Sequence, residues 1–131
     1  MILLDTHVWV WWVHGDSRLS TAAAAAIKAE EGSGLLVSVI SVWEVAKLVE
    51  VGRLVLPKAV PEWVESALAY PGVILQAITP AIAVGSTQLP SPFHRDPADQ
   101  ILVATARGLD VPIVTADGLV LAYPHVRSIP A

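Results

Sequence analysis

Five acidic residues of this 131-residue chain stand where chemistry can be done. Asp5 follows directly on the apolar run ILL, Glu44 lies in SVWEVAKL after the run LLVSV, and Asp117 sits in VTADG after VPIVT. Asp96 and Asp99 bracket a proline and an alanine in RDPADQILVATA. Carboxylates from distant parts of a chain repel one another when they meet within a few ångströms, and protons are a poor remedy at neutral pH. A hard divalent cation with oxygen ligands is a better one. Such a cation makes a nucleophile of a bound water and stabilises the leaving oxygen of a phosphodiester, so no Ser, Cys or His nucleophile is required. The chain has no cysteine and no arrangement that reads as a triad. Its formal net charge is −4, whereas a protein that holds nucleic acid through charge alone is usually basic. Handling a polyanion therefore calls for local neutralisation, and the same cation supplies it.

Each acid also has a simpler use. Asp96, before Pro97, has the position of a helix N-cap. Glu44 lies three residues after Ser41, the spacing of a capping box, and either completes that box or turns towards a shared site. Asp99 and Asp117 suit the positive end of a helix, a gain of about 0.3–1 kcal/mol each. Asp5 is hardest to explain this way, because a carboxylate after a buried strand is costly to bury without a partner. Caps account for the acids singly but not for their falling on one edge of a sheet.

That edge follows from the elements. Short apolar runs at 2–4, 35–39, 73–78, 111–115 and 126–129 read as buried strands. Between them lie helical stretches: THVWVWWVHG, LSTAAAAAIKAEEG with Ser20 as cap, SVWEVAKLVEVG, PEWVESALAY, PAIAVGSTQL, and the segment from Pro97 that Gly108 closes. Apolar strands alternating with helices predict a mainly parallel sheet of about five strands inside a three-layer α/β/α sandwich. Ligand sites in such sheets lie beyond the carboxyl ends of the strands. Asp5, Glu44 and Asp117 all emerge there. The helix carrying Asp99 runs antiparallel to the strand it feeds, so its start comes to the same edge.

The length fits one domain spanning residues 1–131, and a mean hydropathy of +0.60 supplies ample core material. The opening MILLD lacks the basic segment of a signal peptide. The longest stretch without Asp, Glu, Lys or Arg, Ser66 to His94, is broken by Pro71, Pro80, Pro90 and Pro92. No membrane association is expected, and the absence of cysteine suits a reducing cytoplasm.

At these residues the sequence resembles the PIN-domain ribonucleases, specifically the VapC-type toxins of type II toxin–antitoxin pairs. LLDTHVWVWW, ISVWEVAKL with GRLVLP, HRDPADQILVATAR and VPIVTADGLVLAY carry the likeness, in the expected order from Ile2 to Tyr123. The resemblance implies a PIN-like fold and RNA cleavage with Mg2+ or Mn2+ held by Asp5, Glu44, Asp99 and Asp117. Asp99 is selected because the family's acid stands directly before the ILVATA-like helix; Asp96 matches a frequent acid and is carried as a supporting residue. Thr6 and Thr115 match small hydroxylated positions suited to hydrogen-bonding the ligands. The resemblance further implies a homodimer and a cognate antitoxin. Trp9, Trp11 and Trp12 crowd one short helix that is apolar almost all round, and some of them are expected to face a partner chain. Lys47 and Arg53 match a basic region of the family, while Arg95 and Arg107 flank the Asp99 helix; these four are candidate RNA contacts.

Other readings fit less well. A phosphorelay receiver domain needs a late lysine, and the last one here is Lys58. A haloacid-dehalogenase-like phosphatase needs an aspartate two residues after Asp5, where His7 stands. Zinc hydrolysis needs closely spaced histidines; His7, His14, His94 and His125 are scattered and read as surface or boundary residues. The remaining rival is a PIN-like module that binds RNA or a partner without cutting, against which the intact set of acids argues.

Overall fold

The computed structural model describes residues 1–90 and 93–131. Its strands are β1 (Ile2–Leu4), β2 (Leu35–Ser38), β3 (Val73–Gln76), β4 (Ile113–Thr115) and β5 (Ser128–Pro130). They form one five-stranded sheet in the order β3-β2-β1-β4-β5, with every neighbouring pair parallel. The helices are α1 (Thr6–His14), α2 (Thr21–Glu30), α3 (Val39–Glu50), α4 (Val60–Leu68), α5 (Pro80–Gly85), α6 (Pro97–Leu109) and α7 (Gly118–Ala122).

Side chains of a strand alternate between faces, and here both faces are covered. Ile2, Leu4, Leu35, Val37 and Val114 pack with Val8 and Trp9 of α1, Ile27 of α2 and Trp63 of α4. Leu3, Leu36 and Ile113 point the other way, onto Leu102, Val103 and Ala106 of α6, with Val120 and Tyr123. Each large aliphatic or aromatic side chain so buried contributes about 1.5–3 kcal/mol, which explains why the central strands carry no polar alternation. This is the expected three-layer α/β/α arrangement.

Some details depart from expectation. Helix α3 begins directly at the end of β2, with Ser38 Oγ accepting from Ile40 N at 3.1 Å. Ser41 therefore lies inside the helix and is fully buried, and its capping box with Glu44 does not form. Helix α6 continues past Gly108 to Leu109, and Asp110 takes the left-handed cap at φ 53. Helix α5 ends at Gly85, well short of Leu89, and the short α7 lies where no helix was expected.

The tryptophans of α1 divide between core and boundary. Trp9 is fully buried, 5.0 Å edge-on to Trp63, and so cannot face a partner. Trp12 is half-buried against Tyr70 at 5.4 Å, and half-buried Trp11 lies under the Arg18 guanidinium at 5.3 Å. The most exposed tryptophan is instead Trp43, at 56%. Among the described residues, no helix is long and apolar enough to cross a membrane.

One turn admits only glycine. Gly72, between α4 and β3, has φ +85, and a Cβ there would meet Glu31 O at 2.6 Å. Its carbonyl accepts from Leu35 N at 2.7 Å, tying the turn to β2. Gly72→Ala is expected to cost more than about 1 kcal/mol in denaturant unfolding. Gly32→Ala, where a Cβ meets nothing within 4 Å, serves as the control and should leave stability unharmed.

Candidate functional site

The register of β1 on β4 pairs Leu4 with Val114, so the next residues, Asp5 and Thr115, leave the sheet side by side. Asp5 is 7% exposed. Its Oδ1 accepts from Thr6 N at 2.7 Å, as the N-cap of α1, and its Oδ2 accepts from Thr115 Oγ1 at 2.6 Å. Thr115 Oγ1 in turn accepts from Asp117 N at 3.0 Å. On the β2 side, Thr6 Oγ1 donates to Glu44 Oε1 at 2.6 Å and lies 2.8 Å from Ser41 Oγ. With a single proton, committed to the carboxylate, Thr6 receives the hydrogen bond of Ser41. Ser41, lost as a cap, thus holds the threonine that holds Glu44.

The other acids arrive on helix starts. Asp117 caps α7 through Oδ1, accepting from Leu119 N at 2.8 Å and Val120 N at 3.2 Å. Asp96 caps α6, its Oδ1 accepting from Asp99 N at 3.1 Å. Asp99, in the first turn of α6, faces inward with its side chain 15% exposed. Asp5, Glu44, Asp96, Asp99 and Asp117 then line one cavity of about 290 Å³, with His7, Trp11 and Ala116 completing the wall.

Concentrating like charges in a half-buried space alters their titration. Burial pushes Asp99 from its ordinary 3.8 up to about 7, and the charges of Asp5, Asp96, Asp117 and Glu44 add to the effect. Burial likewise raises Glu44 against the lowering hydrogen bond from Thr6. It raises Asp5 against those from Thr115 and Thr6.

His94 is the boundary residue the sequence suggested but not an ordinary one, for it belongs with these groups. One atom each of His94, Asp99 and Asp117 lies within 4.8 Å of the others. Asp5 and Glu44 stand outside this compact trio, with oxygens engaged by Thr6 and Thr115. His94 Nε2 is 3.0 Å from Asp99 Oδ2 but off the direction a hydrogen bond requires, so this buried nitrogen has no hydrogen-bond partner among the described residues. An unpaired nitrogen beside crowded carboxylate oxygens is a donor set that fits a divalent cation.

The expected basic contacts spread out. Arg53, exposed, lines a neighbouring cavity with His7, Trp11 and Arg18. Lys47 is exposed on α3 and paired with Glu50 at 2.6 Å. Arg95 is exposed next to Asp96. Arg107 sits at the far end of α6, donating to His125 O at 2.5 Å, and does not reach the acids.

Residues 2–122 match the family model described as the PIN domain. The chain belongs to the PIN-domain family. Within it this PIN domain is of the VapC type: it is 37% identical over 128 residues to Ribonuclease VapC22 of Mycobacterium tuberculosis, covering 98% of this chain and 95% of that one. Solved structures share the fold of this PIN domain at low identity. One is the VapBC2 complex of Rickettsia felis bound to a promoter DNA fragment, with a TM-score of 0.71 at 12% identity over 100% of this chain and 99% of the matched one. Another is DNA-bound VapBC of Salmonella typhimurium, with a TM-score of 0.71 at 15% identity over 98% and 96% of the two chains.

Sequence reasoning missed His94, His7 and Trp43 at this edge. His94 comes from an irregular segment without periodicity, and its only signal was lying five residues before Asp99.

The titration of Asp99 sets a pH dependence of stability. A carboxyl whose folded pKa exceeds its unfolded value keeps its proton longer in the native state, so stability falls as pH rises. For Asp99 the window runs from about 3.8 to about 7, with a plateau above; Asp5 and Glu44 act with the same sign. Metal-free protein should therefore melt at a lower temperature at pH 8 than at pH 5.5. Asp99→Asn should flatten that difference, and equal slopes in calorimetry would contradict the assigned crowding.

Proposed function

We propose that this chain is a metal-dependent endoribonuclease, the toxin of a toxin–antitoxin pair acting in the cytoplasm. The observation that carries the reading is the gathering of Asp5, Glu44, Asp96, Asp99 and Asp117 around one cavity at the carboxyl edge of the sheet, in a chain similar to Ribonuclease VapC22. Asp5, Glu44, Asp99 and Asp117 would hold Mg2+ or Mn2+, with His94 as a further donor and Asp96 in support. When bound, such a cation lowers the pKa of a water and stabilises the leaving oxygen of the RNA phosphodiester.

The chain's own residues hold the site in register. Thr115 and the Thr6 backbone fix the Asp5 carboxylate at two oxygens, which sets its plane. Thr6, braced by Ser41, fixes Glu44. Trp11 forms an apolar wall beside the acids. Arg53, in the adjoining cavity, offers positive charge to the phosphates of the strand. An antitoxin partner is supported by the family reading and by the solved VapBC complexes that share this fold. A homodimer follows from the same family reading.

Cleavage of a mixed RNA pool tests this. With magnesium the wild-type chain should cut, a chelator should stop it, and Asp5→Asn should abolish it. Thr115→Val, which removes only the hydroxyl that orients Asp5, should lower metal affinity or activity about 10–100-fold. Cutting that survives both the chelator and Asp5→Asn would contradict the mechanism. Tight RNA binding with no cutting under any metal would favour the rival, a PIN-like module that binds without cleaving.

A further inference from the structure

The cavity of acids has neighbours on two sides. On one side a cavity of about 390 Å³ is walled by Ile40, Trp43, Glu44, Asp96, Pro97 and Ala98, sharing Glu44 and Asp96 with the acidic one. On the other side a cavity of about 310 Å³ shares His7 and Trp11 with it and presents Arg18 and Arg53. The acidic cavity thus adjoins a more apolar one through Glu44 and Asp96 and one bearing Arg53 through His7 and Trp11.

Trp43 dominates the apolar compartment. Ile40, Trp43, Glu44 and Lys47 occupy positions i, i+3, i+4 and i+7 of α3 and so share a face. Trp9, Trp11, Trp12 and Trp63 each meet another ring or a cation inside the chain. Trp43 has no such partner among the described residues and is 56% exposed.

We propose that Trp43 is the stacking platform for an unpaired RNA base next to the phosphodiester that is cut. The inference rests on the ribonuclease reading and extends it to how the strand is placed. A base has apolar faces and polar edges. The groove has a matching character, with the indole, Ile40 and Pro97 for the face and the carboxylates of Glu44 and Asp96 to accept from an exocyclic amine. Each of these carboxylates already accepts one hydrogen bond within the chain, Glu44 from Thr6 and Asp96 from the Asp99 amide, and a purely apolar partner surface would offer nothing to its other oxygen. With the base on Trp43, the strand crosses the acids and its next phosphates meet Arg53, while Arg18 beside it is paired with Asp16 at 2.7 Å. Such stacking favours single strands and is tolerant of sequence.

Binding of labelled oligoadenylate and oligouridylate, read by fluorescence anisotropy, tests the platform. The measurement uses the Asp5→Asn chain with magnesium present, so that nothing is cut. Adding Trp43→Ala should weaken binding about tenfold, the size of a lost stacked base, while Trp43→Phe should keep most of the affinity. Because Trp43 is exposed, melting temperatures should not change between variants. Equal affinities with and without the indole, alongside cleavage by the wild-type chain, would overturn the platform and leave the ribonuclease reading intact. Failure of the wild-type chain to cut any RNA would remove that reading, and the platform with it. A drop in solution mass for Trp43→Ala at unchanged RNA affinity would assign the groove to a second copy and equally overturn the proposal.

Discussion

Like charges held together against their repulsion are the constraint around which this molecule is built. Five carboxylates share one cavity, and nothing about their mutual interaction favours that. The fold tolerates it by placing the acids at positive helix ends. Asp5, Asp96 and Asp117 are the N-caps of α1, α6 and α7, and Asp99 lies in the first turn of α6. Each such placement is worth about 0.3–1 kcal/mol, so several together offset an appreciable part of the crowding. Cap and site residue are therefore not competing assignments. Asp117 satisfies two backbone donors through Oδ1 alone, and Asp96 caps through Oδ1 likewise, which leaves each a second oxygen for the cavity.

A second device fixes the geometry across elements that are distant in sequence. Hydrogen bonds run from Asp117 N to Thr115, from Thr115 to Asp5, and from Thr6 to both Asp5 and Glu44. Thr6, Thr115 and Ser41 are all essentially buried, and each hydroxyl is engaged. Buried polar groups that are fully satisfied specify one arrangement, whereas a partly satisfied set would destabilise it. The sheet register makes the network possible, because β1 beside β4 puts Asp5 next to Thr115.

The sheet was legible in the sequence because strands buried on both faces leave a plain mark, a short apolar run without alternation. The edge on which the acids emerge followed from chain direction alone. What resisted reading depends on information that local sequence does not carry. Ser38 and Ser41 are both sound caps, and only the length of β2 decides between them. Helix α7 has five residues, too few to show a period. The crowded tryptophans of α1 suggested that some face outward, but only contact with Trp63 of α4 and Tyr70 after it decides that Trp9 is core and Trp12 half-buried. Contacts across half a hundred positions are invisible to a window that spans one helix.

The same distance in sequence bears on how the site and the fold are coupled. The acids belong to the starts of α1, α6 and α7 and to the second turn of α3, on both sides of the sheet's centre. Any cation that contacts several of them joins elements the backbone does not join directly. It relieves a repulsion that exists only in the folded chain, so it favours the native state by mass action. Chemistry and stability then draw on one set of oxygens. A substitution that removes a carboxylate subtracts a ligand and a repulsion together; at Asp99, which caps no helix, the lost repulsion favours the metal-free fold, whereas at Asp5, Asp96 and Asp117 the lost cap opposes it. At Asp99, loss of activity without loss of stability is thus the signature of a ligand, and it separates this acid from the aspartates that also cap a helix.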